Sequence, residues 1–450
     1  MRRLSFLTAF ILASVATASG SDAQVHRLPL ANTAEENGAQ LVGQEQSACY
    51  EESNPCPNCN AAFGKGDGIT VALLNPANRL KLLAGLDTLM VFSTKRPFPA
   101  GLPLFLLPDS PFGLDTNTFD LHARQSYVGA LFSGPDLGTF KTGAQILTFL
   151  QNDSLTTDDY GLLVYYAYGE LKNDNWRFAA GLQQDVFNPV GPTVVYLTKM
   201  YASGNTGSYR GQVRVERFLQ DGDEFGMTLQ AALSEPLSTL VTRGIGRITE
   251  DNGWPNVEAR VEFGVGPRCE IRGSQVRSLE IGVSGVVGQF RTSETLLANP
   301  PVPSPRAVID TWGIGTDVEW RPNDWWGARG EFYYGQGLGE YNGGVLQSFN
   351  STTFQEIRST GGFGEIFCYL TDALHVHVGY GIDDPRDSDL APTQIRRNQT
   401  YFANFVWDLS KVVQLGLEID YRKTDYTQFL PNAFLDSDAV IVATRFLWTY

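Results

Sequence analysis

The sequence predicts an all-β protein, a transmembrane antiparallel up-and-down β-barrel of about 16 strands with both termini in the periplasm. The first observation is a period of two: Trp176, Phe178 and Ala180 alternate with Arg177 and Gly181. This period gives a strand one apolar and one polar face. The second is length, because such segments run for about ten to fifteen residues, roughly twice the usual globular strand. The third is a regular alternation of long and short connections between them.

The alternating segments divide the chain into about sixteen candidate strands. They lie near residues 79–92, 118–132, 138–150, 161–171, 175–187, 209–219, 224–234, 256–265, 276–291, 309–321, 325–336, 355–370, 373–382, 399–408, 412–424 and 438–450. The long connections are residues 93–117, 151–160, 188–208, 235–255, 292–308, 337–354, 383–398 and 425–437, and the others are short turns such as KND, PND and LSK. This order is typical of a membrane barrel, in which one rim faces outward and the other faces the periplasm. The first long connection is rich in proline, which cannot donate a ladder hydrogen bond, so we predict a loop there.

The final segment and the aromatic residues support a membrane wall. Val440, Val442, Phe446 and Trp448 share one parity, and the chain ends at Tyr450. A terminal strand of this kind resembles that of outer-membrane barrels, in which phenylalanine is the more usual last residue. Further aromatic side chains adjoin predicted turns and are expected at the level of the lipid headgroups. They are Trp176, Trp312, Trp320, Trp325, Trp326, Tyr401, Trp407 and Trp448.

The N-terminal part precedes the barrel. Residues 1–23 have the pattern of a secretory signal: Arg2 and Arg3, a short apolar run, and small residues that allow cleavage after Ala18 or Ala23. Residues 24–78 are polar and lack periodicity, so we predict a periplasmic segment of low order. Residues 79–450 are the predicted barrel. No other run of about 18 apolar residues occurs, so no helical anchor is expected.

Three of the five cysteines, Cys49, Cys56 and Cys59, lie close together in the N-terminal segment. A C-x-x-C pair can be half of a zinc site or a redox pair. A structural zinc site has four ligands, and no second pair or nearby histidine is present. In an exported segment a local disulfide is the favoured interpretation. We predict no metal and no cofactor.

The polar faces of the predicted strands carry many charges. The basic set is Arg124, Lys141, Arg177, Arg210, Arg214, Arg260, Arg329, Arg422 and Arg445, and the acidic set is Asp120, Asp185, Glu216, Glu258, Glu262, Glu280, Asp317, Glu319, Glu331, Glu418 and Asp420. A packed interior holds so many charges only if each is paired, whereas a water-filled lumen accepts them. We therefore expect a pore. The net charge of −15 argues against nucleic acid as a partner.

One long connection is the candidate for a loop that folds into the lumen and narrows it. The segment Asn188–Ser208 has an apolar centre, VVYLTKMY, that contains Tyr196 and a single lysine, Lys199. This centre is too apolar for free exposure to solvent. The alternative is a loop that packs on the rim or on a neighbouring subunit.

Arg210 and Arg214 are the candidate solute ligands of the pore wall. Alternation along one strand places their guanidinium groups about 7 Å apart on the same face, which suits a carboxylate or phosphate solute. Asp185 and Glu216 are expected opposite them, and Glu258, Arg260, Arg329 and Glu331 further along the wall. The alternative is a salt-bridge lattice that only stiffens the wall.

Several motifs resemble the DcaP-like outer-membrane porins. They are Ala123–Ser126 with Gly129, Ala167–Glu170 and Ala180–Gln183, and the resemblance extends over about seventy residues. The resemblance implies a sixteen-strand trimeric porin that passes small anionic solutes such as dicarboxylates. This chain has Gln184 and Asp185 where the family tends to have Trp-Ser, and the extra carboxylate is expected to oppose anions. It also lacks the heptads of the family's coiled-coil extension.

Two other functions are alternatives to a diffusion channel. A barrel hydrolase needs a base near a nucleophile or a water molecule. His375 and His377 share the polar face of one strand near Asp383 and Asp384, but no complete catalytic set is visible. A closed structural or adhesion barrel is the other alternative. The favoured prediction is a non-enzymatic porin in the outer membrane of a Gram-negative-type bacterium, with the lipid bilayer, small hydrophilic solutes and two further copies of the chain as partners.

Overall fold

The structure is a computed structural model. It describes residues 69–72, 78–109, 116–152, 155–221, 224–236, 253–267, 269–271, 274–291, 308–427 and 436–450. The predicted signal, most of the predicted low-order segment and Cys49, Cys56 and Cys59 lie outside these residues. No helix in the described part of the chain is long and apolar enough to cross a membrane.

The described residues form 22 strands and three short 3-10 helices. The strands are β1 Ile69–Ala72, β2 Arg79–Ser93, β3 Pro97–Phe98, β4 Phe105–Leu106, β5 Thr118–His122, β6 Tyr127–Ser133, β7 Lys141–Gln151, β8 Tyr160–Lys172, β9 Trp176–Gln184, β10 Tyr209–Asp221, β11 Phe225–Ser234, β12 Asn256–Val265, β13 Cys269–Ile271, β14 Ser274–Val276, β15 Leu279–Arg291, β16 Val308–Trp320, β17 Trp326–Gln336, β18 Arg358–Tyr369, β19 Leu374–Pro385, β20 Ile395–Asp408, β21 Val413–Tyr426 and β22 Ser437–Thr449. The helices are Leu338–Tyr341, Gly344–Leu346 and Asp387–Asp389.

The long strands close into a 16-strand antiparallel barrel, which confirms the predicted fold. Each wall strand pairs with the next one along the chain, and β2 pairs with β22 to close the wall. This seam runs from Gly85 opposite Thr449 to Ser93 opposite Ile441. An ion pair between Asp87 and Arg445, 2.6 Å apart, crosses it on the inner face. Both ends of the barrel chain lie at the rim that carries the short turns, because Arg79 pairs with Ser133 and Thr449 bonds to Val412 in such a turn.

The predicted strand 118–132 is wrong as a single element. It is interrupted by a turn in which Ser126 donates to the carbonyl of Ala123, so β5 and β6 pair with different halves of β2. The turn breaks the alternation, and Arg124, Gln125 and Ser126 are all buried. Gln125 bonds both Val195 and Leu197 inside the barrel. Contact with this inner segment therefore breaks the strand that the period of two predicted to be continuous.

The predicted low-order segment 24–78 also contains a short strand. β1 pairs with the start of β2 from Ile69 opposite Leu82 to Ala72 opposite Arg79. Four residues are too few to show a recognisable alternation, which is why the sequence did not indicate this strand.

The outer face of the wall is apolar and exposed. In β16, every second residue from Val308 to Trp320 points outward, and the residues between them, from Ile309 to Glu319, are buried. Six of the eight tryptophans lie at the rim with the short turns, and all of them are exposed: Trp176, Trp320, Trp325, Trp326, Trp407 and Trp448. In the middle of β19, β20 and β21, Tyr380, Tyr401 and Tyr421 form a row of contacting rings. An apolar outer face with exposed aromatic residues along a rim is typical of a membrane barrel.

Candidate functional site

The candidate site is the interior of the barrel, and its main element is the central loop, residues 185–208, between β9 and β10. Backbone N–H groups of this loop donate to carboxylates that project from five places on the inner wall. The pairs are Val186 with Glu258, Thr193 with Glu365, Val195 with Glu418, Gly204 with Asp383, and Thr206 with Glu331, at 2.6–2.9 Å. Within the loop itself, Ser208 donates to Asp185 at 2.8 Å. Since the five wall acceptors belong to strands around the barrel, the loop lies inside it. The central loop therefore follows the inward path that the sequence predicted for it.

Tyr196 and Lys199 lie in the middle of the central loop and are 4% and 8% exposed. Tyr196 packs with Leu106 and Ile441, and burial raises the pKa of its hydroxyl well above the usual range, so the side chain stays neutral. The ammonium of Lys199 lies 6.0 Å from the ring centre of Tyr165. Their role in narrowing a pore stays a prediction.

Arg210 is held by a complete set of buried partners. Its guanidinium pairs with Asp185 at 2.7 Å, with both side chains 0% exposed, and its plane lies 3.9 Å from the ring centre of Tyr341. It also donates to the carbonyl oxygens of Glu235, Pro236 and Glu340. Asp185, which was expected to oppose anions, is therefore compensated by Arg210 rather than open to a solute.

The wall formed by β8, β9 and β10 carries a cluster of shared charges nearer the short turns. Arg177 bridges Glu170 and Glu216 at 2.6 and 2.7 Å, and Arg214 pairs with the same oxygen of Glu216 at 2.7 Å. These side chains keep some exposure, 11% for each arginine and 16% for Glu170. Lys141 lies at the rim itself, where it pairs with Asp136 and is 53% exposed.

The ionic lattice continues around the wall. Arg260 pairs with Glu262 and Asp317, and Arg321 and Arg329 both approach Glu319. Arg124, in the turn between β5 and β6, pairs with Asp120 and Asp158. Many of the basic and acidic side chains predicted to point inward thus meet as pairs, which is the arrangement that the lattice alternative describes. Glu258, Glu331 and Glu418 instead accept amides of the central loop.

The two histidines form a chain with an anchor of the central loop. A nitrogen of His375 lies 2.7 Å from His377, whose other nitrogen lies 2.6 Å from Glu365. Glu365 also accepts the Thr193 amide. Within the described residues, no group of three or more histidine, cysteine, aspartate or glutamate side chains is arranged to hold a metal.

Sequence reasoning missed a cluster of buried aromatic side chains that the central loop packs against. Tyr165 and Tyr166 both point inward because a bulge in β8 places an extra residue opposite Leu147 and Thr148. Their rings contact that of Tyr209. The consecutive tyrosines of LLVYYAYG were the available signal, since strict alternation would place one of them in lipid.

Two further segments also pack inside the barrel. Residues 94–109 contribute Leu102, Leu104 and Leu106, all fully buried. The 3-10 helices Leu338–Tyr341 and Gly344–Leu346 are buried as well and contact the central loop through Asn342, which donates to Gly207. The sequence predicted both segments as long connections, without their inward course.

No protein-family model and no curated protein matches the chain. Solved structures do. The outer membrane channel DcaP of Acinetobacter baumannii is 14% identical, with 85% of this chain and 99% of that chain covered and a TM-score of 0.61. OmpT of Vibrio cholerae is 11% identical, over 84% and 100%, with a TM-score of 0.52. An anion-selective porin from Comamonas acidovorans is 10% identical, over 83% and 100%, with a TM-score of 0.51. The expected likeness to DcaP is confirmed for the fold.

Proposed function

We propose that the protein is an outer-membrane porin, a passive diffusion channel for small hydrophilic solutes. One observation carries the proposal: a closed 16-strand barrel has an apolar outer face and a charged inner face. A barrel of this strand number is wide enough for an aqueous channel. The central loop crosses the interior, where such a loop limits the diameter and supplies the charges that select solutes. The likeness of fold to three outer-membrane proteins supports the same function.

The proposed location is the outer membrane, with residues 1–23 as the export signal and both barrel ends in the periplasm. The exposed tryptophans at the rim with the short turns support insertion in a bilayer. A homotrimer is proposed as the assembly, supported by a trimeric form of Vibrio cholerae OmpT, whose TM-score to this chain is 0.51.

The proposed activity is transport without catalysis. The likeness of fold to DcaP and to an anion-selective porin supports a non-enzymatic channel. We propose Arg177, Arg214 and Glu216 as pore-lining residues, because the two arginines keep some exposure and share the carboxylate of Glu216. Small anions, including dicarboxylates, are the proposed solutes, supported by the likeness of fold to an anion-selective porin.

A closed barrel is the second candidate function. The observation that favours it is the packing of three inner segments, residues 94–109, 185–208 and 338–346, whose apolar side chains form continuous clusters inside the wall. Such a barrel would be structural and would not conduct ions.

Single-channel recording in a planar bilayer tests the proposal. The expected result is stepwise ohmic conductance, in triplets for a trimer, and the sign of the reversal potential under a salt gradient decides between anion and cation preference. A folded barrel, shown by its shift in mobility on heating, that never conducts would contradict the porin and support the closed barrel.

A further inference from the structure

We propose that residues 94–109, here called the inner hairpin, form a second constricting element and set the size limit of the channel together with the central loop. This inference rests on the proposed porin function and adds a structural determinant of which solutes pass. The sequence predicted this segment only as a proline-rich loop. Its hydrogen bonds and its burial inside the barrel give it the new role.

The inner hairpin is an ordered element with its own ladder. β3 pairs with β4, and outside that pairing Leu104 donates to Phe98 at 2.9 Å and Leu107 to Arg96 at 3.0 Å. The rings of Phe98 and Phe105 stack with centres 5.1 Å apart. Prolines within the segment restrict its unfolded conformations and so lower the entropy lost on ordering. A preformed hairpin occupies a fixed volume, in contrast to a chain that moves aside.

The apolar side of the hairpin packs on the central loop. Leu102 and Leu104 share a buried cluster with Leu197 and Tyr201 of that loop. Leu106 packs with Val195 and Tyr196 in a second cluster. The hydroxyl of Thr198 also lies 3.4 Å from the carbonyl oxygen of Pro103. The two segments thus form two contacting layers within the barrel.

Two wall side chains hold both layers at once. The side-chain amide nitrogen of Asn398 donates to the carbonyl oxygen of Leu104 in the hairpin at 2.9 Å. It also donates to the carbonyl oxygen of Ala202 in the central loop at 2.7 Å. Arg422 donates to the carbonyl oxygen of Leu104 and lies 3.4 Å from the hydroxyl of Ser203. Both donors are buried at 1% exposure or less. Because each donor serves both segments, the hairpin and the loop are positioned as one unit.

The hairpin is fixed at further points on either side. Its Leu106 accepts from the Tyr426 hydroxyl and donates to the Thr424 hydroxyl on β21. On the other side, the amides of Ala100 and Gly101 donate to Asp158, in the connection before β8, at 2.8 and 3.1 Å. Between these attachments lie β22, β2, β5, β6 and β7. The hairpin therefore lines the part of the wall that the carboxylate anchors of the central loop leave uncovered.

The test compares the parent with a variant in which residues 97–106 are replaced by two glycines. Arg96 and Leu107 are already bonded to each other at the neck, so this replacement keeps the path of the chain. Single-channel conductance and the swelling rates of liposomes in neutral sugars of increasing size are measured. Removal of the hairpin is expected to raise conductance by about twofold or more and to admit larger sugars, because permeation depends on pore diameter.

A second variant, Tyr426→Phe with Thr424→Val, removes two hydroxyls that bond the hairpin at Leu106. It is expected to raise the sugar limit less than the deletion does. Tyr421→Phe, on the same strand but facing outward, is the matched control and is expected to match the parent. If the deletion variant fails to fold, the comparison of the double variant with Tyr421→Phe tests the role of the hairpin.

The outcomes separate the inference from the proposed function. A conducting parent whose folded variants keep its conductance and sugar limit overturns the role of the hairpin and leaves the porin intact. A silent parent with a conducting deletion variant supports the hairpin as the element that closes the barrel. Silence of both folded proteins overturns the porin and the inference together.

Discussion

Arg210 and Asp185 form a salt bridge with both side chains fully buried. Replacing both charges of such a pair is often tolerated, whereas removing one leaves the other desolvated and uncompensated. Arg210 also donates to carbonyl oxygens of three residues. The pair therefore stabilises the mouth of the central loop, where β9 ends and β10 begins.

Arg210→Met is expected to destabilise the folded barrel by about 3–5 kcal/mol, because it leaves the Asp185 carboxylate buried without its partner. The measurement is urea unfolding of the protein refolded into lipid vesicles. Arg217→Met is the matched control on the same strand, since Arg217 lies at the rim over the ring of Trp176. If Arg210→Met loses no more stability than Arg217→Met, the structural role of Arg210 is contradicted.

Lys199 is the one lysine of the central loop and lies near the ring of Tyr165. If the proposed channel narrows at this loop, Lys199→Gln is expected to shift the reversal potential toward cations, because it removes a positive charge from the narrow region. Lys141→Gln, at the exposed rim, is the control and is expected to change selectivity less. Equal reversal potentials for Lys199→Gln and the parent would exclude Lys199 from the selective region.

At the scale of elements, the carboxylate anchors explain how a loop of this length keeps one path. Removing the acceptor of a buried N–H group costs about 1–3 kcal/mol, because the donor is left without a partner. Glu418 accepts the Val195 amide and the side chain of Asn404, both at about 3 Å. Anchors from several strands make the central loop part of the wall rather than a mobile lid.

Glu418→Ala is expected to speed hydrogen exchange at the Val195 amide by roughly tenfold to a hundredfold, since the amide loses its buried acceptor. Exchange is measured residue by residue on the folded barrel in detergent. Glu262→Ala is the control, because Glu262 pairs with Arg260 and bonds no loop amide among the described residues. Unchanged exchange at Val195 would show that other contacts hold the loop.

The strands and their connections could be read from the sequence because a membrane wall enforces a period of two along each strand. Val440, Phe446 and Trp448 point outward as their parity predicted. The break at Ala123–Ser126 could not be read, because it depends on contact with Val195 and Leu197, about seventy positions away. The inward course of residues 94–109 depends likewise on Asn398 and Arg422. Long-range contacts of this kind leave no local period.

At the scale of the whole molecule, the outer face is apolar and has a row of tryptophans along the rim with the short turns. These six tryptophans are all exposed. Tryptophan and tyrosine have amphipathic rings that favour the level of the headgroups. The protein is therefore expected to hold a fixed depth in a bilayer.

Ile314→Arg is expected to cost about 2–4 kcal/mol in a bilayer, because Ile314 is exposed at the centre of β16. Val308→Arg, at the end of the same strand, is expected to cost about 0–1 kcal/mol. Both costs are measured by urea unfolding from vesicles. Equal costs at the two positions would contradict the proposed depth of the barrel in the membrane.

The seam between β2 and β22 gives the molecule an order of assembly. Asp87 and Arg445, which pair across it, lie 358 positions apart along the chain, whereas every other wall strand meets a neighbour that follows it directly. Closing so long a loop carries the largest entropic cost of any pairing in the wall. Hairpins are therefore expected to form early and the seam late. Until it closes, two strand edges stay open to pairing with other chains, and the growing sheet needs protection from aggregation.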